Sequence, residues 1–342
     1  MIVLIGLIGA VIGMNCGMFK CKTSSIHFPD ESYCIHTIAD TYYIDPCSAS
    51  PYACQVSYPY NETKCTYLSP YTASSRYPGE SCKYNSDCYY STTCISGVCV
   101  GQTPGLPCTT SRNCEIGSFC STDNFCVKQL PTGEFGCNND YQCENTAGCR
   151  LISNTNSALN QCVKYFSLSS LSPLINVNGM ICKSGFTNGT HCMEAPVSKT
   201  VPNKCTSNLN CTSKAGGYQG YCLCGYNSKG SSYCTLFAGD EIALKANSYT
   251  QKWLESSHIA KAHTNNRFRY TYIKENWNRE DAAKYEYYNT YYNNFALYYE
   301  AEECALEVFG FSFLQAKEAM KSDESSSDFS TVLAVGVLTY LL

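Results

Sequence analysis

Residues 78–126 read PGESCKYNSDCYYSTTCISGVCVGQTPGLPCTTSRNCEIGSFCSTDNFC, and one cysteine spacing occurs in them twice. Each copy begins with a Pro-Gly pair and continues with four cysteines that are four or five residues apart. A third copy follows Gly133, and in it only the last gap has grown, to twelve residues. The three sets are Cys82, Cys88, Cys94 and Cys99; Cys108, Cys114, Cys120 and Cys126; and Cys137, Cys143, Cys149 and Cys162. Such repetition predicts an array of small units that share one structure.

Disulfides have to replace a hydrophobic core in units of this size. A unit of about 25–35 residues cannot bury a sizeable apolar interior, whereas two bridges per unit would contribute roughly 3 kcal/mol each. Four cysteines allow three pairings, all of which the spacing leaves open. We favour first to third and second to fourth, because interlocked loops hold all four strands of chain together. The favoured pairs are Cys82–Cys94, Cys88–Cys99, Cys108–Cys120, Cys114–Cys126, Cys137–Cys149 and Cys143–Cys162.

The cysteine content also indicates the compartment. The chain has 26 cysteines among 342 residues, which is typical of an oxidising, extracellular environment. Zinc sites, the competing interpretation, use pairs two to four residues apart and often histidine, whereas the gaps here are mostly five and histidine is nearly absent from these units. We therefore expect no metal and no other cofactor. A net charge of −4 without a basic run argues against a nucleic-acid partner.

The pattern PGxxC-x5-C-x5-C-x4/5-C, with Asn85-Ser86-Asp87 before the second cysteine and Gly97-Val98-Cys99-Val100 at the end, resembles the Dickkopf N-terminal cysteine-rich module. It is most similar to the tandem form in GPI-anchored surface proteins of ciliates, which tend to carry a Tyr-rich C-terminal region. The resemblance covers residues 79–235 and implies a surface protein built from disulfide modules. It does not imply Dickkopf signalling, because the second Dickkopf domain has no counterpart here.

Composition divides the chain into eight segments. The segments are a signal peptide (1–13), an N-terminal cysteine-rich domain (14–78), module 1 (79–100), module 2 (101–130), module 3 (131–165), a degenerate cysteine-rich module (166–236), a Tyr-rich helical region (237–321) and a GPI-attachment signal (322–342). The six cysteines of residues 14–78 allow three internal bridges and hence a separate small domain. The fold class is therefore small disulfide-rich tandem modules with little regular structure beyond short β-hairpins, plus a C-terminal α-helical hairpin or bundle.

Both ends carry export and anchoring signals. Residues 1–17 read MIVLIGLIGAVIGMNCG, an apolar run without an acidic residue that predicts cleavage after Gly13; a buried strand is the alternative. The end of the chain has small residues, a polar spacer and an apolar tail, as in GPI attachment at Ser325; a tail that packs or inserts weakly is the alternative. Three sequons predict glycosylation at Asn61, Asn188 and Asn210. The predicted location is the extracellular face of the plasma or ciliary membrane.

After Cys234 a single cysteine remains, Cys304, and helical patterns take over. Asp240 is expected to cap a first helix, a turn follows at 263–266, a short helix is predicted over 267–276, and Asn278 is expected to start a long helix that ends at Gly310. Its aromatic stripe has two interpretations. One is a packing seam, with Cys304 linking the helices to the cysteine-rich part. The other is a second aromatic face that contacts neighbouring molecules or glycans, formed by Tyr287, Tyr291 and Tyr298.

No pattern of catalytic residues was found. His258 and His263 lack the spacing and the glutamate of a metalloprotease motif, and the chain has no GxSxG, P-loop or dinucleotide-binding glycine pattern. We expect a non-enzymatic structural or adhesive coat protein on a lipid anchor, whose partners are the membrane and neighbouring surface proteins, copies of itself or glycans. A recognition receptor for cell–cell contact or mating is the alternative, and a soluble protease inhibitor is a more remote one.

Overall fold

The structure is a computed structural model, and it describes residues 15–21, 33–46, 52–54, 65–67, 76–310 and 312–321. The predicted signal peptide, Asn61, Ser325 and the attachment signal from residue 322 onward lie outside the described residues. The chain divides into two compact units. The first comprises Met1–Tyr67, Ser198–Leu236 and Asn293–Gly310, and the second comprises Leu68–Val197, Phe237–Tyr292 and Phe311–Leu342. The predicted degenerate module, 166–236, therefore contributes residues to both units.

The strands are short and occur mainly as two-stranded antiparallel hairpins. The first unit contains β1 (Met18–Cys21), β2 (Tyr33–Ile38), β3 (Thr41–Pro46), β4 (Tyr52–Cys54), β5 (Cys65–Tyr67), β12 (Cys222–Cys224) and β13 (Ser232–Cys234). The second contains β6 (Thr93–Ile95), β7 (Val98–Val100), β8 (Ser118–Cys120), β9 (Cys126–Lys128), β10 (Ala147–Arg150) and β11 (Gln161–Lys164). In the three-stranded sheet, β3 lies between a parallel β1 and an antiparallel β2.

In each of the three modules, the first cysteine is bonded to the third and the second to the fourth. The bridges are Cys82–Cys94, Cys88–Cys99, Cys108–Cys120, Cys114–Cys126, Cys137–Cys149 and Cys143–Cys162. The third and fourth cysteines face each other across the module's hairpin, as Cys94 and Cys99 do. The same pattern occurs in a further copy, residues 205–234, through Cys205–Cys222 and Cys211–Cys234.

Polar side chains between the first and second cysteines complete each module. The Asp87 carboxylate accepts the N–H groups of Lys83 and Tyr84, which would otherwise be unpaired at the start of a 3-10 turn. The Asn85 side-chain oxygen accepts the N–H of the third cysteine, Cys94. The corresponding acceptors for the third-cysteine N–H in the other copies are Ser111, Asp140 and Asn208. The Asn-Ser-Asp motif of the sequence therefore fixes the loop through hydrogen bonds.

Residues 168–193 form a further copy that lacks two of its cysteines; we call it the fourth copy. Its bridge, Cys182–Cys192, corresponds to the second-to-fourth bond of the modules. The N–H of Leu174 donates to the Thr190 carbonyl, just as the N–H of the first cysteine Cys82 donates to the Gly97 carbonyl, two residues before the fourth cysteine. Thr187 lies opposite Cys192, at the position of the third cysteine. Leu174 and Thr187, both buried, thus occupy the sites of the missing bridge.

The prediction that residues 14–78 form a domain with only internal bridges is wrong for its first two cysteines. Cys16 is bonded to Cys224 and Cys21 to Cys304, so both partners lie far along the chain but within the same unit. Phe19 and Ile44 pack with Cys304 and Ala305 in a small core there. The expectation that Cys304 links the helical region to the cysteine-rich part is confirmed.

The C-terminal region contains α1 (Glu241–Leu254), α2 (Tyr270–Asn276), α3 (Arg279–Tyr298), α4 (Glu303–Phe309) and α5 (312–321). Asp240 occupies the expected N-cap position of α1, although its carboxylate accepts the N–H of Phe237 and makes no cap bond. Asn278 accepts the N–H of Asp281 and caps α3 as expected. Trp253, Tyr272 and Ile273 form the centre of the larger core.

The predicted single long helix to Gly310 is wrong, because α3 and α4 are separate. The backbone leaves helical geometry after Tyr298, and Glu300 has a left-handed conformation with φ 53°. The Glu300 carboxylate accepts hydrogen bonds from Tyr233 and Lys229, which compensate for the unfavourable backbone conformation. None of the helices in the described part of the chain has the length and apolar character needed to cross a membrane.

Candidate functional site

One stretch of chain, residues 259–269, holds the three modules in place; we call it the docking segment. Its contact with module 1 is an ion pair, in which Arg269 donates to both carboxylate oxygens of Glu80 at 3.1 and 3.0 Å. Glu80 is only 1% exposed, and burial raises the pKa of its carboxyl. The Arg269 guanidinium also lies over the Tyr77 ring, 4.4 Å from its centroid. Arg269 thus compensates for a carboxylate that would be costly to bury alone.

Module 2 contacts the docking segment through a buried histidine. Nε2 of His263 lies 2.9 Å from the Ser111 carbonyl oxygen, and Nδ1 accepts the N–H of Asn265 at 3.2 Å. Burial lowers the pKa of His263 to about 4. The ring is therefore neutral at physiological pH, with its proton on Nε2.

Module 3 contacts the docking segment through carbonyl groups. The Asn145 amide donates to the carbonyls of Ile259 and Ala262 at 3.0 and 2.6 Å. Arg267, which is 3% exposed, donates to the carbonyls of Ala147 and Cys143 at 2.9 Å and to the Tyr165 hydroxyl at 2.6 Å. A guanidinium has five donors in a fixed plane, so one side chain can hold several parts of the module at once.

A cavity of about 800 Å³ lies where module 3, the fourth copy and the docking segment meet. This volume is within the range of small-molecule sites, roughly 300–1,000 Å³. Apolar side chains that line it include Leu151, Tyr165, Ile175, Met180 and Phe268. Amide side chains that line it include Asn138, Asn139, Asn178 and Asn265.

The charged side chains that line the cavity are already engaged by the protein. Asp140 accepts the N–H of Cys149 with one carboxylate oxygen and the Tyr165 hydroxyl with the other. Arg269 is paired with Glu80, and Arg267 holds module 3. The protein's own contacts thus use the charges, which leaves the amides as the principal polar groups for a ligand.

Two of the amides are held in fixed orientations. The side-chain oxygens of Asn139 and Asn178 accept the N–H groups of Tyr141 and Met180 at the starts of two 3-10 turns, at 3.1 and 3.0 Å. Their Nδ2 groups have no hydrogen-bond partner among the described residues. Asn265 has a buried side-chain oxygen that is likewise unpaired within the described chain. Asn139 and Asn178 are exposed, so their Nδ2 donors are open to a ligand, and a few such polar groups beside apolar side chains are typical of a binding site.

The predicted aromatic contact face is not formed as expected. Tyr298 is 8% exposed and donates to the Phe309 carbonyl at 2.8 Å, so it offers no contact surface. Tyr287 and Tyr291 are partly buried, and both rings lie against Phe313, with centroids 5.0 and 5.2 Å away. The positions of the Tyr287 and Tyr291 rings therefore fit packing within the protein better than contact with neighbouring molecules.

Two of the predicted glycosylation residues are described and exposed. The Asn188 oxygen accepts the N–H groups of Thr190 and His191, and the Asn210 oxygen accepts those of Thr206 and Ser207. A glycan attaches to the amide nitrogen, which these bonds do not use. Cys211, the middle residue of the third sequon, is in a disulfide.

Sulfur atoms cluster tightly in four places without offering metal ligands. Three cysteine Sγ atoms lie within 4.8 Å of one another in each of the three modules and in the copy at 205–234. Each of these cysteines is in a disulfide, and no cysteine in the described part of the chain is free. Metal binding by cysteine requires a thiolate, which a disulfide sulfur does not provide.

None of the protein-family models, curated proteins or solved structures with which the chain was compared matches it. The resemblance to the Dickkopf module thus depends on the cysteine pattern alone. Sequence reasoning missed the docking segment and the cavity. The one local signal was the polar run His263-Thr264-Asn265-Asn266-Arg267, whose unusual density of hydrogen-bonding groups precedes a helix.

Proposed function

We propose that this chain is a non-enzymatic structural or adhesive component of a cell-surface coat, displayed on a GPI anchor. The observation that supports the proposal most directly is the covalent framework. Eleven disulfides join 22 of the described cysteines. Such extensive disulfide bonding indicates an extracellular or secreted protein.

The modules have the properties expected of a durable spacer. Their buried centres are mostly cysteine, as in module 3, where Cys137, Cys143, Cys149 and Cys162 cluster around Ala147. Cross-links restrict the unfolded chain, and a protease has to wait for local opening. In this proposal the modules are tandem units of the Dickkopf-like type, and the sequons carry glycans that cover their surface.

A recognition receptor is the second candidate, and the 800 Å³ cavity favours it. A coat component needs no preformed ligand site, whereas a receptor does. Abundance separates the two functions, since a coat protein should dominate the surface fraction and a receptor should be scarce.

Treatment of intact cells with a phosphatidylinositol-specific phospholipase tests the proposal. We expect release of the chain, and mass mapping without reduction should find no cysteine open to alkylation. A variant that ends at Lys321 is the matched control, because without the attachment signal it should enter the medium before any enzyme is added. Retention of the full chain after treatment, or several alkylated cysteines, would contradict the proposal.

A further inference from the structure

The cavity between module 3, the fourth copy and the docking segment has the features of a carbohydrate site. We propose that it binds an uncharged oligosaccharide that carries N-acetyl groups. The inference goes beyond the coat function and is independent of the anchor, because it concerns only side chains that line one cavity within one unit.

The state of the charged groups indicates an uncharged ligand. The three charged side chains of the cavity, Asp140, Arg267 and Arg269, each have partners within the protein. A ligand that carried its own charge would be desolvated without a free counter-charge, which is unfavourable. A ligand with hydroxyl and amide groups avoids that cost.

The amide side chains match the hydroxyl groups of a sugar. An asparagine Nδ2 offers two donors, and an asparagine oxygen offers an acceptor. Because the oxygens of Asn139 and Asn178 are held by backbone N–H groups, their donors are fixed before a ligand arrives. Fixed donors lose little side-chain entropy on binding. Asn138, which lines the same cavity and is exposed, adds a further amide side chain at its edge.

The apolar side chains indicate the acetyl group. Ile175, Met180 and Phe268 line the same cavity as the amides, so a ligand that adds a methyl group to the C–H face of a sugar ring buries more apolar surface there. An N-acetyl substituent places a methyl group beside an amide, and burial of a methyl group against such side chains is favourable. An acetylated sugar therefore satisfies both parts of the cavity.

Two disaccharides that differ mainly in the acetamido groups provide the probes. Chitobiose has them and cellobiose has hydroxyl groups in their place. We would measure binding of each sugar by calorimetry to the full chain, expressed through the secretory route and purified in detergent. We expect chitobiose to bind with at least a tenfold lower Kd than cellobiose.

Isosteric variants locate the site. Asn139→Asp and Asn178→Asp keep the cap oxygens and remove the Nδ2 donors, so each should weaken chitobiose binding at least tenfold with an unchanged Tm. Asn156→Asp is the matched control, because Asn156 caps another 3-10 turn outside the cavity by accepting the N–H of Ala158, and it adds the same charge. This variant should bind like the unmodified chain.

Three results would overturn the proposal. Absence of binding by both disaccharides would mean that the cavity is not a carbohydrate site. Equal binding of chitobiose and cellobiose would contradict the assigned role of the acetyl group. Equal binding by all three variants would place any sugar elsewhere on the chain. None of these outcomes depends on the lipid anchor. Each of them therefore leaves the result of the phospholipase release experiment unaffected.

Discussion

Nε2 of His263 donates a hydrogen bond to the carbonyl oxygen of Ser111, 152 positions earlier in the chain. The contact depends on a neutral ring, because the other ring nitrogen accepts an N–H from Asn265. Protonation would remove that acceptor and place a charge in a site with no exposure to solvent.

Stability should therefore fall in mild acid. The pKa of His263 is about 4 in the folded chain and about 6.5 when unfolded, so the unfolded state binds more protons between these values. The stabilisation is complete above pH 6.5 and is lost as the pH falls towards 4, by roughly 3 kcal/mol. Denaturant unfolding as a function of pH measures this. His263→Gln keeps a donor for the Ser111 carbonyl but does not titrate, so its free energy of unfolding should fall less between pH 6.5 and pH 4. The same pH dependence in the variant and the unmodified chain would show that His263 is not the group responsible.

Removal of Arg269 should destabilise module 1 strongly. Arg269→Ala leaves the buried Glu80 carboxylate without its partner, at a cost of about 3–5 kcal/mol. Arg76→Ala is the control, because Arg76 pairs with Glu275 in an exposed ion pair that contributes about 1 kcal/mol or less. Addition of Glu80→Gln to Arg269→Ala should restore part of the loss. Equal effects of the two arginine variants would show that burial of Glu80 does not determine the result.

The missing bridge of the fourth copy can be restored. Leu174→Cys combined with Thr187→Cys places cysteines where the other copies have their first and third, and the new bridge should raise the free energy of unfolding by about 1–3 kcal/mol. Intact mass should fall by two hydrogens relative to the reduced chain, and neither cysteine should be alkylated. Each single variant, in contrast, should leave one reactive thiol. Two reactive thiols in the double variant would refute the assignment of a fourth copy.

Asn210 should combine a structural role with glycosylation. Asn210→Asp and Asn210→Ala both remove the sequon, but only alanine removes the oxygen that accepts the N–H groups of Thr206 and Ser207. Both variants should lose one glycan by mass, and alanine alone should cost about 1 kcal/mol more in unfolding free energy. If the unmodified chain carries no glycan at Asn210, the sequon prediction is wrong there. Equal stability of the two variants would refute the cap.

The features that the sequence could predict are those set by neighbouring residues. Six module bridges join cysteines only 11 to 19 positions apart, and the favoured alternating pairing is the one present. The cap at Asn278 and the position of Asp240 at the start of α1 follow from local residue preferences in the same way. Local patterns carry this information because loop closure within a module needs no distant partner.

The features that sequence reasoning missed depend on distant contacts. Nothing near Cys21 indicates that its partner is Cys304, 283 positions away. The fourth copy was hidden because Leu174 and Thr187 replace the cysteines that define the pattern. The end of α3 was missed because Glu300 is held by Tyr233 and Lys229 from another part of the chain.

The docking segment limits how the array could change during evolution. Each module contacts a different side chain of that segment: Arg269 for module 1, His263 for module 2 and Arg267 for module 3. A newly duplicated module would have no contact side chain on the docking segment. Deletion of a module would leave the corresponding buried side chain of that segment without its hydrogen-bond partner. Lengthening or shortening of the protein by whole modules would therefore require matching changes in the docking segment. In repeat proteins whose units contact only their neighbours, no such matching is needed.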